Sequence, residues 1–172
     1  MGMQIEEQYS AQKQQYFIVY DIPKERAIDF MDGNQNYFLA SEILCNDKNK
    51  MRFNIQHFRW ERRMIESTII STNFTANNYS RRNNYIQFFD KKVLLLDKEF
   101  KKPTNISGLQ FDYIVVSEKA KLDLENITCN KVIIDSSVPN YRWEKIKKEC
   151  LKWDIPFYKV NTQGAYLFNF AS

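Results

Sequence analysis

The chain has 172 residues, 44% hydrophobic and 15% aromatic, with 25 Lys and Arg against 21 Asp and Glu for a formal charge of +4. That is apolar material enough for one core of ordinary domain size, and it excludes a disordered chain. So small a positive charge permits contact with nucleic acid or an anionic membrane surface but does not demand it.

Residues 1–15 are polar and Gln-rich and open on Met1-Gly2-Met3, which looks like a cloned start, so they read as a disordered arm before a single domain over 16–172. Tyr16 to Ile22 is β-branched and aromatic, a strand. Ala27 to Met31 and Tyr37 to Ala40 are two more, joined by an Asp32-Gly33-Asn34 turn. After a polar loop at Asn46 to Lys50, Phe53, His57, Trp60 and Met64 fall at helical spacing, which predicts a helix from about Met51 to Glu66. Ile69 and Ile70 start a short strand, and the Asn-rich stretch Thr72 to Asn84 reads as a loop. Tyr85 to Phe89 and Val93 to Leu96 pair around Asp90-Lys91. Pro103 to Gly108 is loop, Phe111 to Val116 a strand covered on both faces, Leu122 to Ile127 a short helix, and Val132 to Ile134 another buried strand. Trp143, Ile146, Cys150 and Trp153 then mark one face of a helix that Asp154-Ile155-Pro156 ends. Phe157 to Val160 and Ala165 to Phe170 close the chain as strands. The pattern is a two-layer or four-layer α/β sandwich rather than a doubly wound sheet. No segment approaches the ~20 apolar residues of a membrane-spanning helix, and none resembles a signal peptide.

The chemistry available is limited. The four glycines, Gly2, Gly33, Gly108 and Gly164, are scattered, whereas phosphate-cradling loops need them clustered. Cys45, Cys129 and Cys150 form no C-x-x-C pair and read as buried or incidental thiols. His57 is the lone histidine, so neither a multi-histidine zinc site nor a Ser or Cys triad has its imidazoles. It reads as a packed core or rim side chain. Asp21, Asp29, Asp97, Glu99 and Asp135 fall near strand ends and could form a carboxylate Mg²⁺ site, or could equally be scattered surface charges. Basic residues mix with aromatics in three places: Arg59, Arg62 and Arg63 around Trp60, Arg81-Arg82 between Tyr79 and Tyr85, and Arg142 to Lys152. Such mixtures suit phosphate contact and base stacking, and equally a solvated helix face.

The order of segments resembles the C-terminal soluble domain of ComEC-type competence proteins, inner-membrane DNA-uptake channels whose domain is metallo-β-lactamase-like. Tyr20-Asp21-Ile22-Pro23-Lys24-Glu25-Arg26-Ala27 stands where catalytic versions carry an L-D-V-G-Q-G-D-A turn, and Phe38-Leu39-Ala40-Ser41-Glu42 where the L-L-I-D-A-G arm ends. No S-H-x-D-x-D-H motif follows the first helix. Leu94-Leu95-Leu96-Asp97-Lys98-Glu99 replaces L-L-L-T-G-D, and Val116-Ser117-Glu118-Lys119-Ala120 replaces P-H-H-G-S. The tail follows the family's strand, N-x-Y turn, helix, G-I-P-F and G-A-F strand: Val132-Ile133-Ile134-Asp135-Ser136-Ser137, Asn140-Tyr141-Arg142-Trp143, Ile155-Pro156-Phe157 and Gly164-Ala165-Tyr166-Leu167. It is similar to a metal-free, Bacteroidetes-like version.

The resemblance implies a metallo-β-lactamase-like α/β sandwich of mixed sheets flanked by helices, with its metals lost. No catalytic residue, metal, cofactor or small-molecule substrate follows from it. The implied setting is the extracytoplasmic, periplasmic side of an inner-membrane channel, with single-stranded DNA and the channel domains of the same polypeptide as partners. Arg142, Lys145, Lys148 and Lys152 are the expected DNA surface, and Ser41, Glu99, Ser117, Glu118, Asp135 and Asn140 the vestigial pocket. The alternatives are a residual Mg²⁺-dependent nuclease using Glu99, Glu118 and Asp135, and a purely structural interaction domain.

Overall fold

A computed structural model describes residues 14–64, 66–70, 72–104 and 108–170. Most of the arm expected over 1–15 lies outside the described residues, and Gln15 already belongs to the first strand. Strands β1 (Gln15–Val19), β2 (Ala27–Asp32), β3 (Gln35–Ala40) and β4 (Glu66–Ile69) join β12 (Tyr166–Asn169) in a five-stranded sheet of order β12-β1-β2-β3-β4, antiparallel except for β3 with β4. A seven-stranded sheet has the order β11-β10-β9-β8-β7-β6-β5, from β5 (Asn73–Ala76), β6 (Tyr79–Arg82), β7 (Tyr85–Phe88), β8 (Lys91–Leu96), β9 (Leu109–Val116), β10 (Ile127–Ile134) and β11 (Phe157–Lys159). Strands β5 to β8 run antiparallel and β8 to β11 parallel.

Side chains alternate across each strand, and both faces are buried. Phe17, Val19, Ile28 and Phe30 of the small sheet meet Phe88, Val93, Leu95, Tyr113 and Ile133 of the large one. The other face of the large sheet, with Leu94, Ile114, Val132 and Ile134, packs on Ile146 and Cys150 of α4 (Asn140–Lys152). The other face of the small sheet, with Ile18, Ala27, Met31 and Phe38, packs on Leu44 of α1 (Glu42–Asn46) and on Ile55. The result is four layers, helix–sheet–sheet–helix, the sandwich expected from the sequence. A last helical turn, α5 (Val160–Gln163), follows β11 where the strand was expected to continue through Val160.

Three expectations need correction. The stretch Thr72 to Asn84 is the β5–β6 hairpin, not a loop: Phe74 and Ala76 pack against the inter-sheet core while Tyr79 is buried within it, so aromatic burial overrides the turn-like composition. Leu122 to Ile127 is not helical. Leu122 and Leu124 are buried against the large sheet from an irregular segment, and Ile127, also buried, already begins β10. The helix expected over Met51 to Glu66 runs as α2 (Lys48–Met51), a π-helical turn (Arg52–Gln56) and α3 (His57–Glu61).

The π turn displaces the expected apolar stripe. Its wider hydrogen-bonded ring shifts the register of everything after it. Ile55 faces in, while Phe53 and Trp60 are 79% and 64% exposed. His57 is no core histidine: its side chain is 75% exposed and its Nδ1 lies 3.3 Å from Glu61. Arg59 turns inward instead, because Asp29 on the outer face of β2 is fully buried and must be neutralised. Arg59 donates to both its oxygens, Nη2 to Oδ1 at 2.8 Å and Nε to Oδ2 at 3.2 Å, and lies over the Phe38 ring. The Tyr20 hydroxyl (2.5 Å) and the Asn36 amide (2.9 Å) complete the carboxylate's shell. Arg62 stacks on Phe58.

Replacing Arg59 by Ala leaves that carboxylate buried without its counter-charge and should remove about 3–5 kcal/mol of stability. Arg59→Lys should recover less than half of the loss, since an ammonium cannot make the paired bonds. Urea-denaturation midpoints of the two variants read both effects.

Candidate functional site

Segments leaving both sheets meet at one end of the sandwich. On the large sheet, Asp135 follows β10 and is fully buried. The Ser117 hydroxyl donates to its Oδ2. The Ser137 hydroxyl (2.5 Å) and N–H (2.9 Å) donate to its Oδ1. Ser137 Oγ in turn accepts the N–H of Glu118 at 2.7 Å, which holds that residue in a left-handed turn at φ 54°. The clasp reaches the small sheet through Ser136, whose hydroxyl donates to Asp21 at 2.6 Å and whose carbonyl accepts the Lys24 N–H at 3.1 Å. Burial pushes the Asp135 carboxyl up to about 6, against the serine hydrogen bonds and the Arg26 charge that favour its ionised form.

Beside the clasp opens a groove of about 800 Å³. Ser41, Glu99 and Glu118 line it, as the pocket assignment expected. Ser117 and Asp135 are buried behind Glu118 and do not line it, and Asn140 stands apart as the exposed first residue of α4. Ser41 caps α1, accepting the Leu44 N–H at 3.2 Å and donating to Glu25 at 2.5 Å. Asp97, at the end of β8, accepts from Arg26 and from Asn84, each at 3.1 Å.

Sequence reasoning missed Arg26, Asn84, Lys98 and Lys101, which also line the groove, together with Arg81 of the Arg81-Arg82 cluster. Arg26 was visible in the turn segment Tyr20 to Ala27. Arg81 stood out as half of a basic pair, but with the β5–β6 hairpin read as a loop its place in this groove was not legible. The groove's lining holds four basic residues, Arg26, Arg81, Lys98 and Lys101, against four acidic ones, Glu42, Asp97, Glu99 and Glu118. So balanced a wall does not by itself draw in a polyanion.

The carboxylates considered for a cation do not converge. Asp29 is on the outer face of the small sheet with Arg59, Asp97 is tied to Arg26, and Asp135 is sequestered by its serines. Among the described residues, no group of three or more His, Cys, Asp or Glu side chains could hold a metal ion. Cys129 and Cys150 are buried, and burial pushes their thiols up to about 11 and about 12, the range of inert structural cysteines.

On α4, Lys145, Lys148 and Lys152 are exposed at spacings of three and four residues and share one face. Glu149, the acid between them, is turned away: it accepts the Leu124 N–H at 2.9 Å and the Trp153 indole N–H at 3.1 Å. Arg142 differs from the surface role expected of it, because its guanidinium donates to the Ala120 carbonyl at 2.8 Å and ties the helix to the segment after β9. Of the other basic clusters, Arg59 is likewise consumed inside on Asp29, and Arg62, half-buried, lies over the Phe58 ring beside Glu61.

A family model described as the ComEC C-terminal domain matches residues 17–170, and the chain belongs to that family. The family is that of a domain of a membrane DNA-uptake protein, which supports a role in competence. No curated protein and no solved structure matches the chain. Among the described residues no helix is long and apolar enough to cross a membrane.

Asp135 gives the site a pH signature. Its folded-state pKa of about 6 exceeds the ordinary 3.8, so between those values the native state holds the proton more tightly than the unfolded chain. Stability from this group therefore falls as pH rises through that window and is regained on acidification, on the order of 3 kcal/mol in all. Asp135→Asn should keep the serine contacts, with the hydroxyls re-oriented, and remove this contribution. Denaturation midpoints at pH 4.5 and pH 7 should converge in the variant relative to the parent.

Proposed function

We propose that this ComEC C-terminal domain is a metallo-β-lactamase-like scaffold without a hydrolytic centre, held on the extracytoplasmic side of a membrane DNA-uptake channel, where it contacts incoming single-stranded DNA without cutting it. The observation that carries the reading is the lysine face of α4. Lys145, Lys148 and Lys152 point to solvent while the intervening Glu149 is spent on Leu124 and Trp153. Phosphate contacts of this kind give affinity without sequence preference, as a conduit for arbitrary DNA requires. The absence of catalysis is supported by the sequence's single histidine, which stands on α3, and by the way Asp97 and Asp135 are committed to Arg26 and to serines. A hydrolytic metal needs such groups free to bind it and lower the pKa of a water.

A second reading rests on a separate observation. Ile43, Phe53, Trp60 and Ile69 are large, apolar and exposed, which suits packing against the channel part of the same polypeptide.

Fluorescence anisotropy with labelled single-stranded DNA tests the first reading. Binding should fall steeply with salt, and Lys145→Ala with Lys148→Ala should flatten the log–log salt slope by about 1.4, at ~0.7 per phosphate contact on single strands. Undetectable binding at low salt would sink DNA contact. The same DNA incubated with Mg²⁺ or Mn²⁺ should stay intact, whereas cleavage that Glu99→Ala abolishes would establish a residual nuclease. The packing reading predicts that the separately expressed membrane part co-purifies with the parent domain and not with a Phe53→Ser, Trp60→Ser variant.

A further inference from the structure

A second cavity, of about 340 Å³, opens on the outer face of the large sheet. It lies between the segment that leaves β8 and the irregular segment after β9. Its floor is apolar, made by Leu96, Ile114, Leu122 and Ile127, and the Phe100 side chain forms one wall. Four lysines stand around it: Lys98, Lys102, Lys119 and Lys121. Two of them are already engaged, Lys102 with Asp123 at 3.2 Å and Lys98 with Glu118 at 3.7 Å. Asp97, the other acid of the wall, is held by Arg26. Lys119 and Lys121 are exposed and make no hydrogen bond or ion pair within 4 Å among the described residues, although the Lys121 charge is near enough to Asp123 to favour its ionised form.

An apolar slot whose rim carries four lysines against the two aspartates Asp97 and Asp123 selects a ligand that is apolar at one end and anionic at the other. The volume lies at the small end for ligand sites, of ~300–1,000 Å³, which suits one flat ring system better than an extended molecule. The slot is also linked to the lysine helix, since Arg142 of α4 is bonded to Ala120, between Lys119 and Lys121 in sequence. We propose that this cavity takes an unpaired base of single-stranded DNA, with the base entering beside Phe100 and the flanking phosphates resting on Lys119 and Lys121. The proposal rests on the DNA-contact reading and adds a base-dependent site to its phosphate-dependent one. A double-stranded end, with its bases paired, could not use it.

The test compares a labelled thymidine oligomer with an oligomer of equal length built from abasic spacers, so that the phosphate count is fixed. The parent protein should bind the base-containing oligomer about tenfold tighter or better, the range of a base stacked in an aromatic-lined site. Lys119→Glu with Lys121→Glu should bring the two affinities close to parity. Lys145→Ala with Lys148→Ala should weaken both and keep their ratio. Phe100→Leu should reduce the ratio and leave abasic binding unchanged. The two lysines are exposed, so their variant answers the question even if the Phe100 variant fails to fold. Equal affinity of the parent for both oligomers overturns the base site and leaves DNA contact standing. A ratio that survives the Lys119, Lys121 variant overturns the placement. No binding of either oligomer at low salt overturns the DNA reading and this inference with it.

Discussion

Phe30 sits where the two sheets press together. Its ring lies 5.2 Å from Phe17, 5.1 Å from Tyr79 and 5.3 Å from Phe88. Phe17 in turn meets Tyr113 at 5.3 Å, on the interior strand β9. Offset and edge-on ring contacts of this kind bury large areas and add about 0.5–1.5 kcal/mol each beyond the burial. They fix how the small sheet lies on the large one. Everything at the groove follows from that placement, since the β1–β2 turn comes from one sheet and the Ser117 and Asp135 segments from the other.

Polar groups inside the molecule complete what the aromatic layer begins. Asp29 and Asp135 are both fully buried carboxylates, yet they are answered differently. Asp29 meets a guanidinium and fastens a helix to the outside of the small sheet. Asp135 meets hydroxyls and an N–H and fastens two turns of the large sheet to each other. Burial pushes the Asp135 carboxyl up to about 6, and the serine hydrogen bonds and the Arg26 charge, which favour its ionised form, offset only part of that rise. Both carboxylates tie elements of the fold together, while the proposed partner surfaces are the lysine face, the lysine-rimmed slot and the exposed apolar side chains.

Amphipathic patterns were readable where one period held without interruption. The α4 face of Ile146 and Cys150 is buried as its spacing demands, although Trp153 at its end is 40% exposed. The aliphatic runs of β8, β9 and β10 are covered on both faces, again as composition required. The pattern misled where a local rule lost to a tertiary one. Asparagines around Phe74 and Tyr79 looked like loop until the aromatics found the inter-sheet core. The π turn moved Arg59 inward and Trp60 outward, an offset that hydrophobic spacing at 3.6 residues per turn cannot signal. In the site, Ser41, Glu99 and Glu118 were found from motif position and Arg81 from its basic pair, while Arg26 carries no motif of its own.

Composition and order of residues alone determined the fold class, the absence of glycine-rich phosphate loops, and the lack of imidazoles for a multi-histidine centre. These depend on which residues exist and on short-range periodicity. Only the tertiary structure decided which charges remain available. Arg59 and Arg142 look like surface cations in the sequence and are spent on Asp29 and the Ala120 carbonyl, and Arg62 lies half-buried over the Phe58 ring. Lys119, Lys121, Lys145 and Lys148 look no different and stay in water. The physical reason is that neutralising a buried group requires a partner within a few ångströms in space, and separation along the chain carries almost no information about that distance.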